Sequence, residues 1–369
     1  MEAATHTGQE PLRRVDRDAR CMRERRPAYG ALPDFEQRVY LPHKIAALVA
    51  ELAGQGVPAS AALAGTGLEA SQLELPATRV SYRQLDAVMR HALRLSRDPA
   101  IALRAGQRVH VTAYGMYGYA LLSSASYPQA MAFSATYNPV IGPLCETLYS
   151  CDETTVTYTA EPRFWPDPAD DIYRFALEFS MSLHLTVARD LGGPSFRFTR
   201  VCFVHEAPAY KDAYEQLFQC EILFGQPGSE LQYDAAWFDR PVALADPITN
   251  AMSCETCERL LREVKQAGGA AADIRRILLE QSGQFPGLEA MAKRLSMHPR
   301  ALRRKLESEN TSYRDLLAEV RMRLAIEYLR NTRMTNEEIA SQLGYSDAAN
   351  FRHAFTRWTS KCPTAFRCG

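Results

Sequence analysis

No run of some 18 apolar residues occurs in the 369-residue chain, so no segment reads as a membrane-spanning helix. The first residues also lack the apolar core of a secretory leader, and together these absences point to the cytoplasm. Nine cysteines, an odd number scattered without framework spacing, exclude a disulfide scaffold and fit a reducing compartment. Only Cys254 and Cys257, in SCETCERLL, are closely paired. A metal site would need a second ligand pair, so they read as free thiols at a helix start and no metal is assigned. There is no glycine-rich phosphate loop and no recognisable nucleophile or acid/base spacing in residues 35–247, where an enzyme would need one. No catalytic residue and no cofactor are therefore expected. His184 and His205 stand alone in the sequence and are given no ligand or catalytic role.

Net charge is also lacking, with 43 basic and 43 acidic residues, which excludes a uniformly basic surface. The balance conceals an asymmetry. Residues 285–369 carry 15 Lys/Arg against 9 Asp/Glu, whereas residues 27–284 carry 21 against 29. An acidic body with a basic C-terminal end suits a nucleic-acid partner held by one module.

A chain of this length holds two or three domains. Residues 1–30 show no apolar periodicity and read as a disordered tail. Residues 31–247 read as an α+β domain. Its helical spacing appears in KIAALVAELAGQG, in SYRQLDAVMRHALRLS with Ser81 as N-cap, in ASYPQAMAFSATYN and in DIYRFALEFSMSLHLTVARDLGG, closed by Gly192. Strand alternation appears in ETTVTYTAE and SFRFTRVCFVHE, with EILFG and ELQYD as shorter candidates. Residues 248–284 are helical with an interruption at QAGGAAAD and read as a linker.

The remainder, 285–369, is all helix and tight turn. In GLEAMAKRLSMHPRALRRKLESE, the residues Leu288, Met291, Ala292 and Leu295 share a face. The pattern breaks over Ser296–His298 and restarts with Pro299 in a first helical turn, where its missing N–H does no harm. TNEEIASQLGYSDAANFRHAFTRW repeats the plan. Thr335 and Glu338 sit in capping-box positions, Gly344 stands where a left-handed turn is needed, and Ser346 is placed to cap a helix whose Phe351, Phe355 and Trp358 turn inward. Leu302 and Leu306 are core by the same spacing. Between the halves, SYRDLLAEVRMRLAIEYLRN keeps Leu316, Leu317, Val320, Leu324, Tyr328 and Leu329 on one stripe, a rigid connector of about 30 Å. Its Arg321, Arg323 and Arg330 read as solvated or near phosphate; Lys361 could lie on either side.

IASQLGYSDAANFRHAFTRW followed by CPTAFR resembles the tandem helix-turn-helix domain of the AraC/XylS family of bacterial transcription regulators. YGMYGYALLSSASYPQAMAF, FVHEAPAY, YEQLFQCEILFG and WFDRPV resemble the effector-binding and dimerisation domain of a subset of that family. The resemblance implies a sequence-specific regulator, expected to be an activator, that binds double-stranded DNA at two adjacent major-groove faces, responds to a small-molecule effector, engages RNA polymerase and self-associates as a homodimer. Arg300, Arg303 and Arg304 then face DNA from the first recognition helix, and Ala348, Ala349, Arg352 and His353 from the second. His298 stands where serine or threonine usually caps the first recognition helix. Tyr114, Tyr117 and Tyr137 are candidates to line an effector pocket, against a plain role in core packing.

Overall fold

In a computed structural model of the chain, the described residues are 35–367 except 166, 268, 281–282, 284, 310 and 360–361. The expected N-terminal tail lies outside them, as does Lys361. The first unit opens with α1 (His43–Gly54), α2 (Ala59–Ala62), α3 (Tyr82–Leu95), α4 (Ile101–Gln107), α5 (Met116–Leu122) and α6 (Tyr127–Tyr137). Capping chemistry sets their starts. Ser81 Oγ accepts from the Gln84 N–H while the Gln84 side chain accepts from the Ser81 N–H, and Ser126 accepts from the Gln129 N–H ahead of α6.

The sheet follows. β1 (Cys145–Cys151) and β2 (Thr155–Pro162) form an antiparallel hairpin, and after α7 (Asp171–Gly192) come β3 (Arg200–Cys202), α8 (Lys211–Phe218), β4 (Glu221–Leu223) and β5 (Glu230–Asp234). The strand order is β1-β2-β5-β3-β4, antiparallel except for β3–β4, which run parallel and are joined through α8. One expectation is corrected here, and one strand was not expected. SFRFTRVCFVHE yields only the three residues of β3, although Phe196 and Phe198 before it are buried in the core, so their alternation reports packing rather than pairing. β1 carries polar groups on both faces, Glu146 and Ser150 on one and Thr147 on the other, and its period is too faint to read from sequence. The 22-residue α7 packs along α4 and β2, burying Ile172, Phe175, Phe179 and Leu185. Its C-cap is Gly193, at φ 87°, one residue past the expected Gly192.

The stretch expected as a linker is shared between two cores. α9 (Pro247–Ala267) lies against α5, with Cys257 inside the first core. α10 (Gly269–Glu280) puts Ala270, Ala271, Ile274 and Leu278 into the second. The second core is completed by α11 (Leu288–Arg294), α12 (Pro299–Ser308), α13 (Tyr313–Asn331), α14 (Asn336–Gln342) and α15 (Ala348–Thr359). α10 is fastened there by side chains. Both oxygens of Glu309 accept from the first N–H groups of α10, Ala270 at 3.0 Å and Ala271 at 2.8 Å, and Arg275 forks onto Glu319 of α13 at 3.0 Å. Gly269 is required at the junction: its φ is 58°, and a Cβ there would lie 2.6 Å from a Glu309 oxygen. Among the described residues the seven cysteines are free thiols, and no helix is long and apolar enough to cross a membrane.

Candidate nucleic-acid interface and ligand cavity

The two helix pairs α11–α12 and α14–α15 close by the same turn. After α11, Ser296 takes φ 54° and the Met297 N–H bonds back to the Ala292 carbonyl at 2.9 Å; after α14, Gly344 takes φ 70° and the Tyr345 N–H bonds back to Ala340 at 2.8 Å. Each second helix then starts on a side-chain cap. His298 Nδ1 accepts from the Arg300 N–H at 3.3 Å, so an imidazole fills the place of a hydroxyl. In the other unit Asp347, not Ser346, accepts from the Asn350 N–H at 2.7 Å, and Ser346 Oγ supports it through the Asn350 amide. The capping box of Thr335 and Glu338 starts α14 as the sequence indicates.

Burial then divides the helix faces. Leu302 and Leu306 of α12 and Phe351 and Phe355 of α15 are almost wholly buried, which turns the opposite faces outward. Arg300, Arg303 and Arg304 are exposed, and no carboxylate among the described residues holds them. On α15, Ala349, Arg352 and His353 are exposed, while Ala348 is half-buried beside the turn and offers less surface than expected. Trp358 is half-buried on the core side.

The connector α13 gives its arginines work that sequence spacing does not reveal. The Arg321 guanidinium stacks 4.8 Å from the Tyr345 ring centre and 5.1 Å from that of Phe285, and donates to the Gly344 carbonyl at 3.3 Å. It clamps the turn of the second unit. Arg323 pairs with Glu146 of β1 at 3.0 Å, bridging the two cores. The expected solvated or phosphate-near role is replaced for both; the Arg330 side chain lies outside the described ones.

The first unit contains a cavity, partly open to solvent, with about 80 Å³ of interior room. Tyr114 and Tyr117 line it, and both rings are also buried in the first core. Tyr137 does not: its ring packs on Phe133 at 4.7 Å and its hydroxyl meets Glu258 of α9 at 3.4 Å. Sequence reasoning missed Lys44, Ser134, Tyr158 and His184, which also line the cavity. His184 was set aside as isolated, yet its ring stacks on Tyr158 at 3.9 Å, and burial pushes its pKa down to about 4. The signal was present for two of them. Lys44 falls on the apolar stripe of Leu48 and Leu52, and His184 falls on that of Ser180, Leu183 and Val187, all four lining the cavity. A polar residue on a buried stripe marks a site or a satisfied core group. None of the lining residues is Asp or Glu, so His184 has no carboxylate in the lining to orient it as a general base.

A tandem helix-turn-helix beside an α+β unit with a largely apolar cavity describes a regulator of transcription. The family models agree: residues 56–242 match the N-terminal arabinose-binding domain of AraC transcription regulators, and residues 291–368 match a helix-turn-helix domain. The chain is 35% identical to the ornithine utilization regulator of Pseudomonas aeruginosa over 87% of its own length and 94% of that protein. It is 29% identical to the HTH-type transcriptional regulator VqsM of the same organism, over 72% of the chain and 82% of that protein. The crystal structure of the transcriptional regulator CdpR from Pseudomonas aeruginosa aligns with 24% identity and a TM-score of 0.45, covering 90% of this chain and 99% of that one. The chain belongs to the AraC family of transcription regulators. It is a DNA-binding regulator with an effector-binding domain, not an enzyme.

Proposed function

We propose that this chain is an effector-responsive activator that reads two adjacent major-groove faces, with α12 and α15 as recognition helices. The observation that carries the reading is the 19-residue α13 joining the two units. At 1.5 Å per residue it is roughly 28 Å long, close to the roughly 34 Å between successive major-groove faces on one side of a duplex. Arg300, Arg303 and Arg304 supply guanine and phosphate contacts from α12. Arg352 leads on α15, with His353 beside it and Ala349, helped by Ala348, against a thymine methyl. The protein acts in the cytoplasm as a homodimer and recruits RNA polymerase.

Effector control runs through β1. Cys145 and Thr147 line the cavity, and Glu146 between them points the other way, to Arg323 on α13. A ligand that displaces β1 changes this ion pair and so shifts the population of chains whose helix-turn-helix units are free to dock.

Binding of the full chain to a duplex selected from random sequence, against a scrambled duplex, tests the reading. The selected duplex binds at least a thousandfold tighter at one fixed salt concentration. The same weak, steeply salt-dependent affinity for both would refute it.

A further inference from the structure

The cavity presents hydrogen-bond donors that the protein satisfies only in part. Lys44 is 8% exposed, and its Nζ donates to the Ile141 carbonyl at 2.7 Å and lies 5.2 Å from the Tyr114 ring centre. A buried ammonium is normally neutralised by a carboxylate, since a carbonyl and a ring face replace only part of its hydration. No acidic residue lines this cavity. The Tyr114 hydroxyl is buried with no hydrogen-bond partner, and its residue is 7% exposed. A phenol O–H so placed costs free energy until something accepts from it. His184 adds an imidazole N–H, and Tyr117 and Ser134, bonded to each other at 2.9 Å, add a hydroxyl pair. The rest of the wall is largely apolar, with Leu121, Met131, Leu144, Leu183 and Val187 among its side chains.

An ammonium and an unpaired phenol call for a ligand end that only accepts. The apolar wall calls for a body without charge. We propose that the effector is a small carboxylate with an apolar body, its carboxylate on the Lys44 ammonium and the Tyr114 hydroxyl. This rests on the effector-binding reading above and adds the chemical class to it. The same lysine excludes a cation from that end of the cavity, where nothing would balance two like charges.

Calorimetric titration of the full chain with sodium octanoate, 1-octanol and octylamine tests the class, because the three probes share a body and differ only at the head. Octanoate binds at least tenfold tighter than 1-octanol, the usual scale for a charge-assisted hydrogen bond, and octylamine binds more weakly than either. Lys44→Met removes the octanoate advantage and leaves 1-octanol binding in place, while Tyr114→Phe reduces the advantage severalfold. Octanoate that binds no tighter than 1-octanol, or an advantage unchanged in both variants, overturns the proposal. A thermal-shift screen of neutral and cationic metabolites separates this failure from the larger one. A neutral or cationic compound that stabilises the chain and is displaced by 1-octanol overturns the carboxylate while preserving an effector site. A screen in which no compound of any charge stabilises the chain counts against effector binding itself.

Discussion

The two cores of this chain use buried polar groups in opposite ways. In the first, Lys44 is buried at the cavity with only a carbonyl and a ring face for its ammonium, and the Tyr114 hydroxyl beside it is buried with no hydrogen-bond partner. In the second, polar side chains are placed at helix ends and junctions: Glu309 on the start of α10, Arg275 on Glu319, Arg321 on the Gly344 carbonyl. On the reading proposed above, a carboxylate ligand would supply what the first arrangement lacks. The second uses side chains to hold α12 and α15 at fixed positions, with Arg300, Arg303, Arg304 and Arg352 exposed, as the proposed contact with DNA requires.

The largest stability effect should come from the first core. Burial lowers the Lys44 pKa from 10.5 to about 7. Between these values the unfolded chain holds a proton that the folded chain has lost, so stability rises with pH across that window, and the cost of Lys44 is full below about pH 7. Of the groups around it, burial holds His43 and His184 neutral at about 4 and pushes Cys145 up to about 12 and Tyr114 higher still, so none of these four titrates there. Lys44→Met should therefore stabilise the apo chain by on the order of 3 kcal/mol at pH 6, with the gain fading toward pH 10.5 in urea melts. A destabilised variant would show that Lys44 is already satisfied.

The second core should respond with the opposite sign. Glu309→Ala leaves two N–H groups at the start of α10 unanswered and should cost about 1–2 kcal/mol. Gly269→Ala should approach that cost, because its Cβ pushes the same carboxylate away. Smaller still is the contrast between the two turns. Gly344→Ala should cost about 1 kcal/mol, and Ser296→Gly should gain about 0.5–1 kcal/mol, since only serine among these two holds a left-handed φ against its own Cβ. Arg323→Ala should change stability least, by under about 1 kcal/mol, because both partners of that ion pair are partly exposed. Its effect belongs in DNA affinity measured with and without ligand, where it should reduce the ligand-dependent difference.

The two cores also differed in how far they could be read in advance. The helix-turn-helix units were legible because they are local: the capping box at Thr335, the turn at Gly344 and the i, i+4, i+7 aromatics of α15 lie within one short stretch. Arg321 and Arg323 were misread because their partners are remote: Tyr345 and Phe285 lie more than twenty residues from Arg321, and Glu146 lies 177 from Arg323. The cavity was only half legible for the same reason. Its tyrosines form a visible cluster, but Lys44, Ser134, Tyr158 and His184 come from four separate elements, and only the packing of α7 against the sheet and α4, and of α1 against α4, brings them together. Tyr137, which shares α6 with Ser134, faces α9 instead.

If α12 and α15 are the recognition helices, as proposed, their rigid link through α13 makes a direct geometric demand on DNA. Inserting five base pairs between the two halves of a selected site carries the second major-groove face about half a turn around the duplex, beyond the reach of a fixed α13. At constant salt, the full chain should lose at least a hundredfold in affinity on that insertion and regain it when the five base pairs are removed. Equal affinity for the native and five-base-pair-inserted sites would contradict the account.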